Sequence, residues 1–291
     1  MPPQFLVIGH TVQDISPGQG ADAPAWRLGG TVSYAALLAS RLGLSTAVLT
    51  AAADDLPVEE ALPGVEVARA ASAHSTQIRN VYGPGGRVQY ILQRAAPINA
   101  PSLPDAWRGA EIVLLGPVTR EVDETLADCF PQALIGVSAQ GWLRDIGPDK
   151  RVRPVPPERW QAERLLQPGR ILFVSDEDLP AANVRAVLDG WSARVEALAF
   201  TRAERGAEVC HGGVWRRIGA FPTAAVDPTG AGDVFAAAFL IRYRECGDPW
   251  EATRFAACAA SFIVESEGLA NMPDRAMIEE RLRAHPEIVA R

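Results

Sequence analysis

The sequence has a single lysine, Lys150, among its 28 Lys and Arg residues, so no glycine-rich loop is followed by the Lys that a Walker-type phosphate loop requires. Its four cysteines, Cys129, Cys210, Cys246 and Cys258, form no C-x-x-C pair, which argues against both a zinc site and a disulfide framework. The four histidines, His10, His74, His211 and His285, share no metal-ligand spacing and are assigned no chemistry. No apolar run reaches the ~18–20 residues of a membrane span. The opening "MPPQFLVIGHT" enters an apolar strand without a basic n-region, so the chain is read as cytoplasmic, with no membrane partner. A net charge of −7 argues against nucleic acid as a partner, because such proteins present a basic face to phosphates. The tryptophans, Trp142 among them, are read as packing residues.

What is present is an apolar content of 48% over 291 residues, enough for a sizeable core. Short apolar runs recur at 4–9, 111–116, 133–137, 170–174 and 195–200. Runs of this kind, separated by helix-length segments, indicate strands buried on both faces of a parallel sheet. The expected fold is α/β, a doubly wound, mostly parallel sheet in one domain over 1–291. Helices are expected at 31–43, ending at Gly43, and at 156–169, with proline at the entry and Pro168-Gly169 at the exit. Three more are expected after residue 230.

One region departs from this pattern. "STQIRNVYGPGGRVQYILQRAAP", 75–97, alternates around Pro84-Gly85-Gly86 and reads as an antiparallel hairpin. With the Gly/Pro-rich segment 14–26 it suggests a small β lid from about 12–28 and 74–97, closing over a ligand; a decorative edge hairpin is the alternative. Its open edge allows a monomer or a lid-mediated homodimer.

The stretch "AVDPTGAGDVFAAAFL" places Gly230, Ala231, Gly232 and Asp233 at the start of an apolar helix. The first turn of a helix leaves N–H groups without partners at the positive end of the macrodipole, which makes it an anion site. A carboxylate there repels phosphate unless it takes a proton. Transfer of a phosphoryl group to a hydroxyl needs both parts, donors for the charged oxygens and a base for the attacking alcohol. A plain helix cap by Asp233 is the competing reading. A dinucleotide fingerprint would need a preceding strand and an acidic residue ~20 positions later, and neither is found.

"VDPTGAGDVF" resembles the C-terminal signature of the ribokinase-like (PfkB) carbohydrate kinases, and "RLGGTVSYAALLASRLG" at 27–43 resembles their N-terminal Gly-Gly signature. The resemblance implies a doubly wound α/β domain with a β lid. It also implies ATP- and Mg²⁺-dependent phosphorylation of a hydroxyl on a sugar, polyol or nucleoside, and leaves a monovalent cation open. It makes Asp233 the base, gives Gly230, Ala231 and Gly232 the anion-hole N–H groups, and sets Asp227 beside the phosphates. Asp14, Gly29 and Gly30 match substrate-binding positions. "FTRAERGAEV" looks like a nucleotide-binding T-x-G-x-x-G segment that keeps Thr201 and Gly206 but has Ala203 for its middle glycine. "VSDEDL" places Ser175 and Asp178 where the family has N-x-x-E, so Asp178 would reach the metal through water. Ala238 replaces the glycine that usually ends the second signature.

Tyr34 stands where sugar kinases commonly carry a substrate-binding asparagine. Together with Ser175 and "SAQGWLRDIGPDKRV" at 138–152 it resembles the myo-inositol kinase branch. In that reading Asp14, Gln140 and Arg144 supply polar contacts to a cyclitol and Tyr34 an apolar wall. The alternatives are a nucleoside or other sugar kinase, in which Tyr34 would stack on a base, and a degenerate ligand-binding member without transferase activity.

Overall fold

The computed structural model describes residues 1–15, 26–83, 86–179 and 183–291. Most of the Gly/Pro-rich segment 14–26 and the Pro84-Gly85 turn lie outside the described residues. In chain order the elements begin with β1 (Phe5–Ile8), β2 (Val12–Ile15), β3 (Trp26–Gly29), α1 (Thr31–Arg41), β4 (Thr46–Ala52), α2 (Val58–Ala61) and β5 (Val65–Ala71). Next come β6 (Thr76–Gly83), β7 (Gly86–Gln93), β8 (Ile112–Leu115), β9 (Leu134–Ser138), β10 (Arg144–Ile146) and β11 (Val152–Pro154). The chain ends with β12 (Arg170–Ser175), α3 (Val184–Ser192), β13 (Ala197–Thr201), β14 (Ala207–His211), β15 (Val214–Ile218), α4 (Ala231–Cys246), α5 (Pro249–Ile263) and α6 (Arg275–Ala284).

Nine strands build the central sheet in the order β15-β14-β13-β12-β9-β8-β1-β4-β5. Every pairing from β13 to β5 is parallel, and only the β13–β14 and β14–β15 pairings are antiparallel. The strands β1, β4 and β8 are buried at every residue, as strands covered on both faces must be. From β1 the chain winds outward to β4 and β5, then returns to β8 on the other side of β1. The carboxyl ends of β1 and β8 therefore form the topological switch point, where α/β sheets open a crevice.

Helices α1, α4 and α5 cover one face. Residues Val234 to Ile241 of α4 are all buried, because α4 is wedged between the sheet, α1 and α5; it surfaces at Arg242, as its apolar pattern requires. Irregular segments and α3 cover the other face, around Trp107, Trp142, Trp160 and Trp191. The helix expected at 156–169 does not form. Only a 3₁₀ turn at Pro157–Arg159 is present, and the N–H groups of Leu165 and Leu166 share the Ala162 carbonyl in one uncontinued turn. Ala162, Leu165 and Leu166 are buried at a helix-like spacing. The segment nevertheless follows Trp160, whose ring stacks on Trp142 at 6.0 Å and meets Trp191 edge-on at 5.3 Å.

A second sheet, in the order β3-β2-β6-β7, stands at the switch point. The hairpin read at 75–97 supplies β6 and β7. Its register pairs Asp14 with Ile78, Ile78 with Ile91, and Asn80 with Gln89, so these side chains share one face. Val12, Ile78, Ile91 and Val118 pack together there.

Candidate active site

The helix α4 begins at Gly230, whose φ of 84° lies in the left-handed region. A Cβ at this position would fall 2.3 Å from the Tyr34 ring, so glycine is required for both its dihedral and its closeness to Tyr34. The Gly230 N–H has no partner among the described residues, and Gly232 lies in the first turn, where N–H groups lack intrahelical acceptors. Ala231 differs: its N–H is turned to the Pro228 carbonyl at 3.3 Å. Of the three expected anion-hole donors, this one is already engaged. A Cβ at Gly232 would meet nothing within 4 Å, so that residue faces open space.

Asp233 is the third residue of α4. Burial pushes its carboxyl up to about 6; a hydrogen bond from Thr31 and the charge of Arg144 oppose the rise, and Asp178 adds to it. Thr31 opens α1, so the starts of α1 and α4 converge on this carboxylate. A carboxyl poised near neutrality suits a general base.

A cavity of ≈ 350 Å³ opens over this point. Its half beneath the second sheet is lined by Asp14, Asn80, Gln89, Gln140 and Arg144, with Val12, Ile78, Val118 and Tyr34. Gln89 Nε2 donates to Asn80 Oδ1 at 2.8 Å, and Asn80 Nδ2 donates to Asp14 Oδ1 at 2.9 Å. This relay fixes the Asp14 carboxylate. Tyr34 is only 2% exposed, so its ring supports the Gly230 loop more than it faces open space. Burial, then the charges of Asp233, Asp227 and Asp14, hold its phenol well above the usual range, with Arg27 opposing; the hydroxyl stays a donor.

The other half runs between the carboxyl ends of β12 and β13 and helix α5. Ser175, Glu177, Thr201, Ala203 and Gly206 form one wall. Ala220, Ala225, Ala257, Ala260, Ser261 and Val264 form a narrow, mainly apolar slot opposite. Ala203, the residue in place of a family glycine, takes φ 47°, a conformation that costs an L-residue.

The cavity thus gathers Asp14, Gly30, Tyr34, Gln140, Arg144, Ser175, Thr201, Gly206, Gly230, Ala231, Gly232 and Asp233. Three named positions stand back from it. Gly29 lies 3.8 Å from Asp14 Cβ, measured from an ideal Cβ, and Asp227 accepts from Thr229 N–H. Asp178 is buried and accepts from Ser175 N–H at 2.9 Å; burial raises its carboxyl, while Arg144 and Gln140 hold it down. Glu177, its neighbour, reaches the cavity wall instead. Asn80, Gln89 and Val118 belong to no motif and Glu177 is an unassigned position within "VSDEDL", although the period-two pattern of the hairpin already sets Asn80 and Gln89 on one face. A larger hollow of ≈ 520 Å³, lined by Asp189, Glu196, His211 and Trp215 among others, contains none of the motif residues. Among the described residues no His, Cys, Asp and Glu cluster could hold a metal by itself, and no helix is long and apolar enough to cross a membrane.

The start of α4 with the Asp233 carboxylate beside it is chemically suited to phosphoryl transfer to a hydroxyl, and a phosphotransferase with an alcohol acceptor is the class to which the similar proteins point. Residues 172–275 match the model of the pfkB family carbohydrate kinases. The chain is 46% identical over 69 residues to a nucleoside kinase of Methanothermobacter thermautotrophicus, a match that spans 23% of this chain and only 22% of that relative. It is 28% identical over 274 residues to a cytidine kinase of Thermococcus kodakarensis, covering 85% of this chain and 90% of the relative. Its fold superposes on a pyrophosphate-dependent kinase in the ribokinase family, complexed with a pyrophosphate analog and myo-inositol, with a TM-score of 0.76, 23% identity and coverage of 95% and 99%. The pfkB family match thus spans about a third of the chain, and the fold as a whole is the ribokinase-like one.

Proposed function

We propose that the protein transfers the γ-phosphate of ATP to a hydroxyl of a small polyol, myo-inositol or a related cyclitol, inside a single domain over 1–291 whose four-stranded sheet serves as the lid. The observation that carries this reading is the division of the cavity at Asp233. Under the lid, polar groups converge from several sides: the Gln89–Asn80–Asp14 relay, Gln140 and Arg144. A ring carrying hydroxyls all round can meet such groups at fixed angles. The apolar lining of this half, Val12, Ile78, Val118 and the edge of Tyr34, is limited to one side, which suits the C–H face of a cyclitol ring.

The slot beside α5 supports a nucleotide donor. Its wall of Ala257, Ala260, Ser261 and Val264 suits a flat base, whereas pyrophosphate needs only the start of α4. Mg²⁺ would travel with the donor phosphates, neutralising their charge, and its usual one or two carboxylates would come from Glu177 and, through water, Asp178. Asp233 accepts the proton of the attacking hydroxyl, and the N–H groups of Gly230 and Gly232 stabilise charge on the transferred group.

The alignment with a cytidine kinase over 85% of this chain favours a second reading, a nucleoside acceptor. A panel of myo-inositol, ribose, fructose, cytidine and adenosine, each with ATP and with pyrophosphate plus Mg²⁺, separates them. The highest kcat/KM is expected for myo-inositol with ATP. A better nucleoside or sugar overturns the cyclitol assignment, and turnover with pyrophosphate alone overturns the donor.

A further inference from the structure

Four chain crossings join the lid to the core, and all of them meet around His10. The first is His10 itself, between β1 and β2. At the second, between β3 and α1, a Cβ on Gly30 would fall 2.4 Å from the His10 carbonyl oxygen, so the two backbones touch. The third enters β6 at Thr76, whose hydroxyl lies 2.7 Å from His10 Nδ1. The fourth leaves β7 at Ala95-Ala96: Ala95 N–H donates to the Thr76 hydroxyl at 2.9 Å, and His10 Nε2 lies 2.8 Å from the Ala96 carbonyl. That carbonyl can only accept, so Nε2 carries a proton, while Nδ1 faces the Thr76 hydroxyl and, at 3.9 Å, the Glu121 carboxylate.

Glu121 ties this root to the cavity floor. Its carboxylate accepts from His10 N–H at 3.0 Å, Val118 N–H at 2.8 Å, Thr119 N–H at 2.6 Å and the Thr119 hydroxyl at 3.2 Å. His10, Thr76 and Glu121 are 0%, 0% and 1% exposed, and none of them lines the cavity. Val118, which Glu121 holds, does line it and packs against the lid residues Val12, Ile78 and Ile91. Groups buried this completely are costly to unpair, and a fully satisfied network has one geometry.

We infer that His10, Thr76 and Glu121 are positioning residues that set the angle of the lid against the core, and through it the affinity for the acceptor, while phosphoryl transfer stays with Asp233 and the start of α4. This rests on the reading that the acceptor binds beneath the lid. The test pairs Thr76→Val, which keeps the shape and removes the hydroxyl, with Thr76→Ser, which keeps the hydroxyl. With the panel compound that the wild type turns over best, myo-inositol first, Thr76→Val should raise the acceptor KM about tenfold, the effect of unpairing a buried network. Donor KM and kcat should stay within about twofold, and Thr76→Ser should match the wild type. Amide exchange on the full chain without any ligand should run about tenfold faster in β2, β6 and β7 of Thr76→Val and remain unchanged in α4 and α5. A lower Tm with unchanged acceptor KM, a lost kcat with unchanged KM, or exchange that rises equally in lid and core each overturns the inference. A wild type inactive on the whole panel sinks the acceptor reading alone, and the exchange arm still decides the hinge. Should Thr76→Val fail to fold, Glu121→Gln, which sets an amide donor against the Val118 and Thr119 N–H groups, is read in the same way.

Discussion

Asp233→Asn separates the two things that the half-buried carboxylate does. Asparagine keeps the volume and can still accept from Thr31, but it cannot take a proton from an alcohol. The loss of a positioned base lowers kcat by roughly 10²–10⁴, which is ~3–5 kcal/mol of barrier. The same burial predicts a gain in stability. The carboxyl lies at about 6, against an ordinary 3.8, so holding it ionised in the folded protein costs up to ~3 kcal/mol at pH 8. Solvent reaching the half-buried group reduces that figure to about 1–3 kcal/mol. The sign follows from proton binding: between about pH 4 and 6 the folded chain holds a proton that the unfolded chain has released, so this group's contribution becomes less favourable as pH rises through that window. Asp233→Asn should therefore melt several degrees above the wild type at pH 8, at ~2–4 °C per kcal/mol, and close to it at pH 4. In the wild type, kcat/KM should be level above pH 7 and fall about tenfold per unit below about 6, as the base is protonated. Thermal melts at both pH values and a coupled ADP-release assay read all three. Activity within tenfold of the wild type refutes the base; equal melting shifts at pH 4 and 8 refute the burial argument.

Gly230→Ala would force a Cβ to within 2.3 Å of the Tyr34 ring at φ 84°, displacing a donor of the anion hole; kcat should drop about 10²–10³-fold, and steady-state kinetics within threefold of the wild type would sink the assignment. Ala203→Gly relieves a backbone held at φ 47°, a relief of ~1–2 kcal/mol less ~0.4–1 for glycine's extra freedom when unfolded; Tm should rise a few degrees with activity kept, and a lower Tm would show that the strain is not there. Gln89→Leu removes the donor to Asn80 Oδ1 and loosens the hold on Asp14; acceptor kcat/KM should fall about tenfold with donor KM unchanged, and an equal change in both would place the relay outside the acceptor site.

The strands at the middle of the sheet are legible because burial on both faces forces continuous apolar runs such as "FLVI" and "IVLL". The strands β4, "TAVLTAA", and β5, "VEVARAA", are not, since alanine favours helix and a half-exposed edge strand carries charges. At 156–169 the error has the opposite cause. Ala162, Leu165 and Leu166 are spaced as a helix would space them, yet Trp160 is held by two other tryptophans and the turn stops after one carbonyl. The start of α4 is legible because its glycines and Asp233 are neighbours in sequence. Asn80 and Gln89 could be placed by strand alternation, but nothing in the sequence says which face looks inward. His10 and Glu121 carry no motif at all; their role arises only where four crossings converge.

That contrast has a physical consequence for how substrate range is set. As proposed, the chemistry needs little more than the N–H groups at the start of α4, a base near neutrality and a slot for the donor, and these would be fixed by local backbone conformation at Gly230, Gly206 and the small residues of α5. Interactions made there strengthen as charge develops, so changes to them appear in kcat. In the proposed reading the acceptor half is built from side chains on the four-stranded sheet and on β10, which would meet the bound alcohol equally in ground and transition states, so changes to them should appear in KM. Asp14, Asn80 and Gln89 could thus be exchanged for other polar or apolar groups without disturbing the turn at Gly230, whereas the charge of Arg144 also acts on Asp233. A signature centred on Asp233 reports the reaction and is silent on the acceptor, and two kinases sharing that signature can differ in every group that touches the ring. In the proposed reading, the acceptor of this chain would be set by the alternating face of β6 and β7 and by the way His10 and Glu121 hold that face beside Asp233.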